Sequence, residues 1–555
     1  MKVGHTELRF GILVDSETLE LWQVNTIRHL IDHGIKLCLV VQHDRQESSS
    51  SFLKRLKSYP YRRALFQIWN HYLFNPACKQ STPITTLTDG VPRLLCRPIQ
   101  KGVSTYLTDD DVTAIRSYRL DFLLRFGFNI LRGDVLESAR YGIWSFHHGD
   151  EMRFRGGPPG FWEFMQGEPI NGVILQRLTS ALDKGFILKK WHLPTIRHSY
   201  KEHLNQLYFQ SELMPLQVCE NISSKGTISE YESQSNAKIY HAPYNITMMR
   251  YWLKCVWRRV AFHIHDIFCQ EDWNIGVIPV GINEFISSHN IIDDKTVLWK
   301  KKNKRHEYFA DPFILSTARD TYVFFEWYDY SQGKGVLALS RKSENFEQNH
   351  VILAEYFHLS FPHIFEYDGS YYCIPEQNQS GHLDLYVFDE DSLTLRRECV
   401  LLEGMRVVDP IVYHDDKLWH LLFTQKEHPS TKLYHYTASS LRGPYIESGS
   451  NPTKVDVSSA RSAGALIQHE EMLLRPAQNC VGAYGKSVSL MKISELSENY
   501  HVEEQWNTLS PRINTPYNQG LHTINGNSSY TVFDGKRYVF TWHGMIQQIR
   551  QKIKK

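Results

Sequence analysis

The chain has 555 residues, 42% of them hydrophobic and 13% aromatic, with a formal net charge of +2. That length predicts two or three domains with sizeable cores, and near-neutral charge excludes a global field that would recruit nucleic acid, so no nucleic-acid partner is expected. Nine scattered cysteines with no CxxC pair exclude a disulfide frame or a cysteine-ligated zinc site. No metal is expected, and the thiols read as reduced. The start, MKVGHTELRF, lacks the apolar core of a signal peptide. No run of 18 apolar residues occurs, so no segment is expected to span a bilayer. The expected location is the cytoplasm.

In chain order, Phe10–Val14 (FGILV) reads as a buried strand. Ser16 to His33 has helical spacing (Leu19, Trp22, Val24, Ile27, Leu30, Ile31) and stops at Gly34. Ile35–Val41 is the next strand, which makes a βαβ unit and implies a parallel sheet. The first turn, VDSETLEL, has no glycine, so a dinucleotide fingerprint is absent and NAD is not expected. Ser51 to Phe74 is basic and aromatic; it reads as an insertion packed on the sheet, or as a polyanion-binding surface, with Pro60 breaking any continuous helix. Thr108 caps a helix over 108–118 whose first turn is acidic. Leu120–Phe126 is a strand, Asn129–Arg140 a helix and Tyr141–Phe146 a strand. The sheet so built is Rossmann-like, and ligands bind beyond the carboxyl ends of such strands, where His147 lies.

The stretch 141–188 carries the motifs: Ser145–Phe146–His147, then Arg155–Gly156–Gly157–Pro158–Pro159, then Gly172–Val173 and Leu182–Asp183–Lys184–Gly185. In order and spacing it resembles the catalytic core of the folate-dependent formyltransferases, the methionyl-tRNA and amino-sugar N-formyltransferases. Their pattern is Asn–x–His, an Arg–Gly–x–x–Pro loop, Gly–Val–Thr and Leu–Asp–x–Gly. The resemblance implies a formyltransferase-like α/β domain using 10-formyltetrahydrofolate as co-substrate. It gives His147 the oxyanion, Asp183 orientation and proton transfer, and Ser145 the place of the family's Asn as a weaker donor. His148, where the family has Pro, adds a second imidazole, and Arg153 and Arg155 are placed to hold a phosphate or carboxylate of the substrate. The plainer alternative is a formyltransferase-like fold with changed or lost chemistry.

Residues 206–275 shift toward Ser, Asn and Gln and read as a linker. Within it Ile246–Phe268 is an aromatic, basic helix. Its Arg and Lys residues forbid spanning a bilayer; docking between domains is the first expectation, and lying on a membrane surface the alternative.

From 276 to 555 strands dominate and a repeat appears. Asp311, Phe361, Asp409 and Ala463 align at intervals of 50, 48 and 54 residues, and Glu326, Glu376, Thr424 and Gln478 follow each by fifteen. A fifth unit is expected around Leu521–Trp542. Repeats near 50 residues of four short strands describe the blades of an all-β five-bladed propeller. The Asp–Pro strand starts and YDGSYY-type hairpins resemble family 43 glycoside hydrolases and the N-terminal domain of glucosamine inositolphosphorylceramide transferases. That resemblance points the first residues of the inner strands at a central channel, gathering Asp311, Glu326, Glu376 and Asp409 with His363, Arg475 and His522. Paired carboxylates are what glycoside hydrolysis needs; the alternatives are glycan binding, or acids that cap strands and bond across blades.

The chain therefore reads as a formyltransferase-like α/β domain (1–205), a linker with one amphipathic helix (206–275) and a glycosidase-like propeller (276–555). The leading expectation is N-formylation of an amino sugar, nucleotide-linked, for a surface polysaccharide. The alternatives are glycoside hydrolysis or transfer by the propeller, and glycan binding without turnover.

Overall fold

The computed structural model describes residues 8–44, 61–102, 104–180, 185–288, 294–302, 304, 306–449 and 451–554. The chain divides into two compact units, Met1–Val260 and Ala261–Lys555.

The first unit is built on one eight-stranded sheet: β1 (Arg9–Val14), β2 (Lys36–His43), β3 (Arg93–Cys96), β4 (Phe122–Arg125), β5 (Ile143–His147), β6 (Ile170–Arg177), β7 (Phe186–Pro194) and β8 (Tyr231–Glu232). Their spatial order is β8-β7-β6-β5-β4-β1-β2-β3. The five from β3 to β5 run parallel; β6, β7 and β8 add on antiparallel. The sheet is mixed rather than wholly parallel. Its parallel part has the order β3-β2-β1-β4-β5, a doubly wound order that reverses between β1 and β4. Apolar runs in β1 and β4 fit that place, because a parallel sheet is covered on both faces.

Helix α1 (Leu21–Asp32) makes the first crossover and buries Trp22, Val24, Ile27 and Leu30. It starts later than the apolar spacing predicts, because Thr18–Glu20 pairs with Ser81–Pro83 as a short ribbon. Helix α2 (Asp109–Ser117) starts on Thr108 as the sequence predicts, with Thr108 Oγ1 accepting from the Asp111 amide at 3.2 Å. The expected helix over 129–140 does not form. Phe128, Asn129 and Gly133 take φ of 63°, 48° and 84°, left-handed values that interrupt a helix, and Ile130–Arg132 forms a strand.

Helix α3 (Phe161–Gln166) follows the Arg–Gly loop. The segment from 206, expected as linker, starts with helical structure of the first unit. Helices α4 (Tyr200–Ser211) and α5 (Met214–Lys225) bury Leu207, Tyr208, Met214, Val218 and Ile222. Its polar residues lie at spacings that leave an apolar stripe, which composition alone conceals. Helix α6 (Asn245–Phe268) runs from the first unit into the second. An aromatic cluster of Trp22, Trp69, Phe161, Phe164, Tyr200 and Tyr251 joins α1, α3, α4 and α6 to the short helical turns at 61–73. Residues 51–60 lie outside the described residues.

Among the described residues the second unit contains five antiparallel sheets. Four follow in chain order, over 307–353, 360–403, 407–447 and 467–509, so each sequence repeat is one sheet. The third also takes the short strand Lys454–Val455. The fifth joins both ends of the unit: β9 (Gln270–Ile278) pairs over nine residues with the late strand Thr531–Val539. The first strands of the first three repeats, β10 (Glu307–Ser316), β11 (Ser360–Tyr367) and β12 (Val407–His414), share one irregularity. Each bulges at the repeat position, where Asp311, Phe361 and Asp409 take φ of 53°, 47° and 45°. We number Thr531–Val539 β13. Apolar residues of successive sheets pack together, as Phe313, Phe361 and Ile411 do.

Candidate functional site

In the first unit the site forms at the carboxyl end of β5. Ser145 and His147 share a face because strand side chains alternate. Ser145 is 1% exposed, and its hydroxyl accepts from Arg125 Nε at 3.1 Å and Nη2 at 2.8 Å. Arg125, at the end of the neighbouring β4, also donates to the Asn129 carbonyl. The guanidinium thus stands over the serine. Burial lowers Arg125 from its ordinary pKa, and Asp15, at the end of β1, offsets this.

His147 is half-buried, and its Nε2 lies 3.1 Å from the Phe154 carbonyl. A carbonyl only accepts, so geometry assigns the proton to Nε2. Beside it is a carboxyl that sequence reasoning missed. Glu163 sits on α3 in an apolar run, FWEFM, and is 2% exposed. A side chain at Gly149 would meet His147 Nε2 and the Phe154 carbonyl at 3.0 Å and Glu163 Oε1 at 3.3 Å. Glycine lets these three groups converge without any of them giving way to a Cβ. Glu163 Oε1 has no hydrogen-bond partner among the described residues. Burial, then the neighbouring charges of Asp150 and Glu168, push its pKa up to about 8, against backbone amides that lower it. A lone acid within an apolar helical run is the one signal that pointed to it.

The other expected residues lie elsewhere. His148, one position on, faces the opposite way: it stacks on Tyr208 at 4.0 Å and its Nε2 is 3.1 Å from Ser211 Oγ. Burial lowers it to about 3, so it is an uncharged core residue and not a second imidazole of the site. Arg153 pairs with Glu168 at 2.6 Å. Arg155 pairs in register with Ile239 and reaches the Ala237 carbonyl at 3.5 Å. Asp183 lies outside the described residues.

In the second unit the strand bulges gather charge. His522 Nε2 lies 3.1 Å from Asp311 Oδ1 and its Nδ1 2.8 Å from Asp534 Oδ2. The ring nitrogens face a carboxylate on each side. Burial alone would lower His522; Asp534 and Asp311 instead raise it to about 10, so it is an imidazolium. Burial alone would raise Asp311, but that cation and Thr523 hold it below the usual carboxylate range. These three are the group among the described residues whose ligand atoms lie close enough, within 4.8 Å, to hold a metal ion; the bridging imidazolium offsets part of the carboxylate charge.

Asp409 pairs with Arg461 at 2.5 Å and accepts from Gln478 Nε2 at 2.7 Å. Glu376 accepts from the Asp409 amide at 3.2 Å. Glu326 Oε1 has no hydrogen-bond partner among the described residues and lies 3.7 Å from His358 Nε2. Burial raises Glu326 well above the ordinary carboxyl range, with Asp311, Glu376 and Asp409 adding to the rise and His522 opposing it. So Asp311 and His522 meet, Glu376 and Asp409 meet, and Glu326 feels both groups. His363 does not join them: it lies among Phe313 and Phe365, and burial lowers it to about 4. Arg475 is fully buried against Glu503, at 2.5 Å and 2.8 Å, and its other bonds go to the Ala460 and Ser459 carbonyls. Arg461 and Asp534 escaped the sequence reading because neither falls on the repeat position.

Residues 296–532 match the family model described as glucosamine inositolphosphorylceramide transferase 1, N-terminal. The chain is 30% identical over 204 residues to glucosamine inositolphosphorylceramide transferase 1 of Oryza sativa subsp. japonica, a match covering 35% of this chain and 27% of the relative. It is 31% identical over 112 residues to the methionyl-tRNA formyltransferase of Prochlorococcus marinus, covering 20% and 32%. A solved structure of a thermostable family-43 glycoside hydrolase is similar at 14% identity, covering 37% of this chain and 77% of that one, with a TM-score of 0.29. The chain spans about a third or less of the length of these curated relatives. It joins a formyltransferase-like part to a part similar to the N-terminal region of the inositolphosphorylceramide transferases.

Proposed function

We propose that the first unit transfers a formyl group from 10-formyltetrahydrofolate to the amine of a sugar, nucleotide-linked. In this reading the second unit is a five-bladed propeller that recognises glycan. The observation that carries the reading is the convergence of His147 and the uncharged Glu163 carboxyl on Gly149, at the end of a parallel strand. An imidazole N–H and a protonated carboxyl are hydrogen-bond donors of the kind an acyl oxygen needs, which fits a formyl donor.

The amine attacks the formyl carbon, a C–N bond forms and the carbonyl oxygen gains negative charge. His147 turns its Nε2–H from the Phe154 carbonyl to that oxygen, with Arg125 over Ser145 where the family has its amide. The amine's proton must then leave, and the nitrogen of the donor must receive one as its bond to carbon breaks. A carboxyl with a pKa near working pH serves both directions. Glu163 shares this role with Asp183, to which the family resemblance assigns proton transfer.

The test incubates the protein with 10-formyltetrahydrofolate and a panel of aminodeoxy sugar nucleotides and follows product mass. A gain of one formyl group is expected, with His147→Ala lowering the rate about 100- to 1000-fold. Equal activity in His147→Ala, or no transfer to any acceptor, sinks the reading. Glu326 favours a second reading, glycoside hydrolysis or transfer in the second unit, because a carboxyl kept protonated by burial is what a leaving oxygen requires. Reducing sugar released by the protein and lost in Glu326→Gln would support it.

A further inference from the structure

Helix α6 turns its apolar side outward. Over 245–260 only Met248 and Tyr251 are buried. Ile246, Met249, Leu253, Val256, Trp257 and Val260 form a stripe at helical spacing that is exposed, Leu253 and Trp257 at 72% each. A water-facing helix ordinarily does the reverse. The helix is fixed to its unit from the other side: Lys254 Nζ donates to the Met165 carbonyl at 2.9 Å and Arg258 Nη1 to the Phe164 carbonyl at 2.5 Å. Two cations at the carboxyl end of α3 suit its dipole.

A second segment extends the surface. Asn245 Nδ2 donates to the Tyr61 carbonyl at 2.8 Å, its Oδ1 accepts from the Leu65 amide at 3.0 Å, and Arg63 lies over the Tyr244 ring. Tyr61, Ile68, Tyr72 and Leu73 are exposed there. Together 61–74 and 245–260 carry six cations (Arg62, Arg63, Arg250, Lys254, Arg258, Arg259) and no Asp or Glu. Arg250 and Arg259 are exposed and make no ion pair among the described residues. A groove of about 500 Å³ between α3 and α6 has Trp162 and Leu253 in its wall beside Arg250 and Lys254.

We infer that this face of the first unit lies on a bilayer carrying anionic phospholipid, with α6 in the plane of the interface. No helix among the described residues is long and apolar enough to cross a membrane, so contact is peripheral. The chemistry matches at both levels. Trp and Tyr rings prefer the headgroup depth, exposed Leu, Ile and Val enter the acyl boundary, and the four cations not tied to α3 (Arg62, Arg63, Arg250, Arg259), in segments without an acid, complement anionic headgroups. A second copy of the chain would bring the same cations face to face and meet repulsion.

The test is flotation of the full chain with vesicles of phosphatidylcholine alone or with phosphatidylserine, and sedimentation velocity without lipid. Binding at least tenfold stronger to the phosphatidylserine vesicles is expected, weakened by salt. Arg250→Ala with Arg259→Ala should weaken it about twenty-five-fold, from roughly a factor of five per cation. Leu253→Glu with Trp257→Glu, both at exposed positions, should abolish it while circular dichroism stays native. Equal binding to both vesicles, no binding, or a dimer without lipid that the Leu253→Glu, Trp257→Glu variant dissolves would overturn the inference.

Discussion

At the scale of single residues, Glu163 is where the fold works against its own stability. A carboxyl raised to about 8 in the folded chain and ordinary when unfolded holds its proton better in the folded state. Its contribution is complete below about pH 4.5 and is lost as pH rises to about 8. Glu163→Gln cannot ionise and escapes that loss. We expect Glu163→Gln to melt a few degrees above wild type at pH 8, for about 1–3 kcal/mol, and no higher at pH 4.5. The same variant should lose formyl transfer by more than tenfold and flatten its pH profile. Asp150 and Glu168 face this group and Tyr200 lies near it, so the profile should be read beside Asp150→Asn and Glu168→Gln. Equal melting at pH 8 would remove the buried, protonated carboxyl from the account. Strain of this kind at a site is a common cost of function.

At the scale of elements, the repeat position is a joint. Asp311 sits on the bulge of β10 and Asp534 on β13, and the His522 imidazolium joins the two. A histidine raised to about 10 contributes stability that is complete below its unfolded value near 6.5 and is lost as pH rises toward 10. Unfolding free energies of wild type from urea melts should therefore fall between pH 7 and 10, and those of His522→Gln should start about 3 kcal/mol lower and stay level. Parallel curves would mean the ring carries no charge.

Much of this layer was legible beforehand. Asp311, Phe361 and Asp409 fell on one repeat, and the repeat proved to be one sheet. What escaped depended on three dimensions. Arg461 and Asp534 approach from other strands, so no spacing announces them. The helix expected over 129–140 failed on left-handed residues that a 3.6-residue period cannot register. Ser145 and His147 were found from their motif, but the guanidinium over Ser145 comes from β4, twenty residues earlier.

At the scale of the whole molecule, the second unit is closed by its own two ends. β9 and β13 share a nine-residue ladder from Gln270↔Val539 to Ile278↔Thr531. A chain ended at residue 530 leaves β9 without that partner and removes Val532 from the core it shares with Ile275 and Val277. It should lose the cooperative unfolding of this unit, seen as loss of the near-ultraviolet dichroism of its aromatic residues. A sharp transition at the wild-type midpoint would show that the ladder is dispensable. The same closure sets a timetable for synthesis. β9 leaves the ribosome long before β13 exists; at roughly 5–20 residues per second it waits on the order of 10–50 s for its partner. Through that interval its edge is unprotected, a template for any other strand nearby. Nascent chains of this protein should therefore depend on chaperone shielding until the last strand is made.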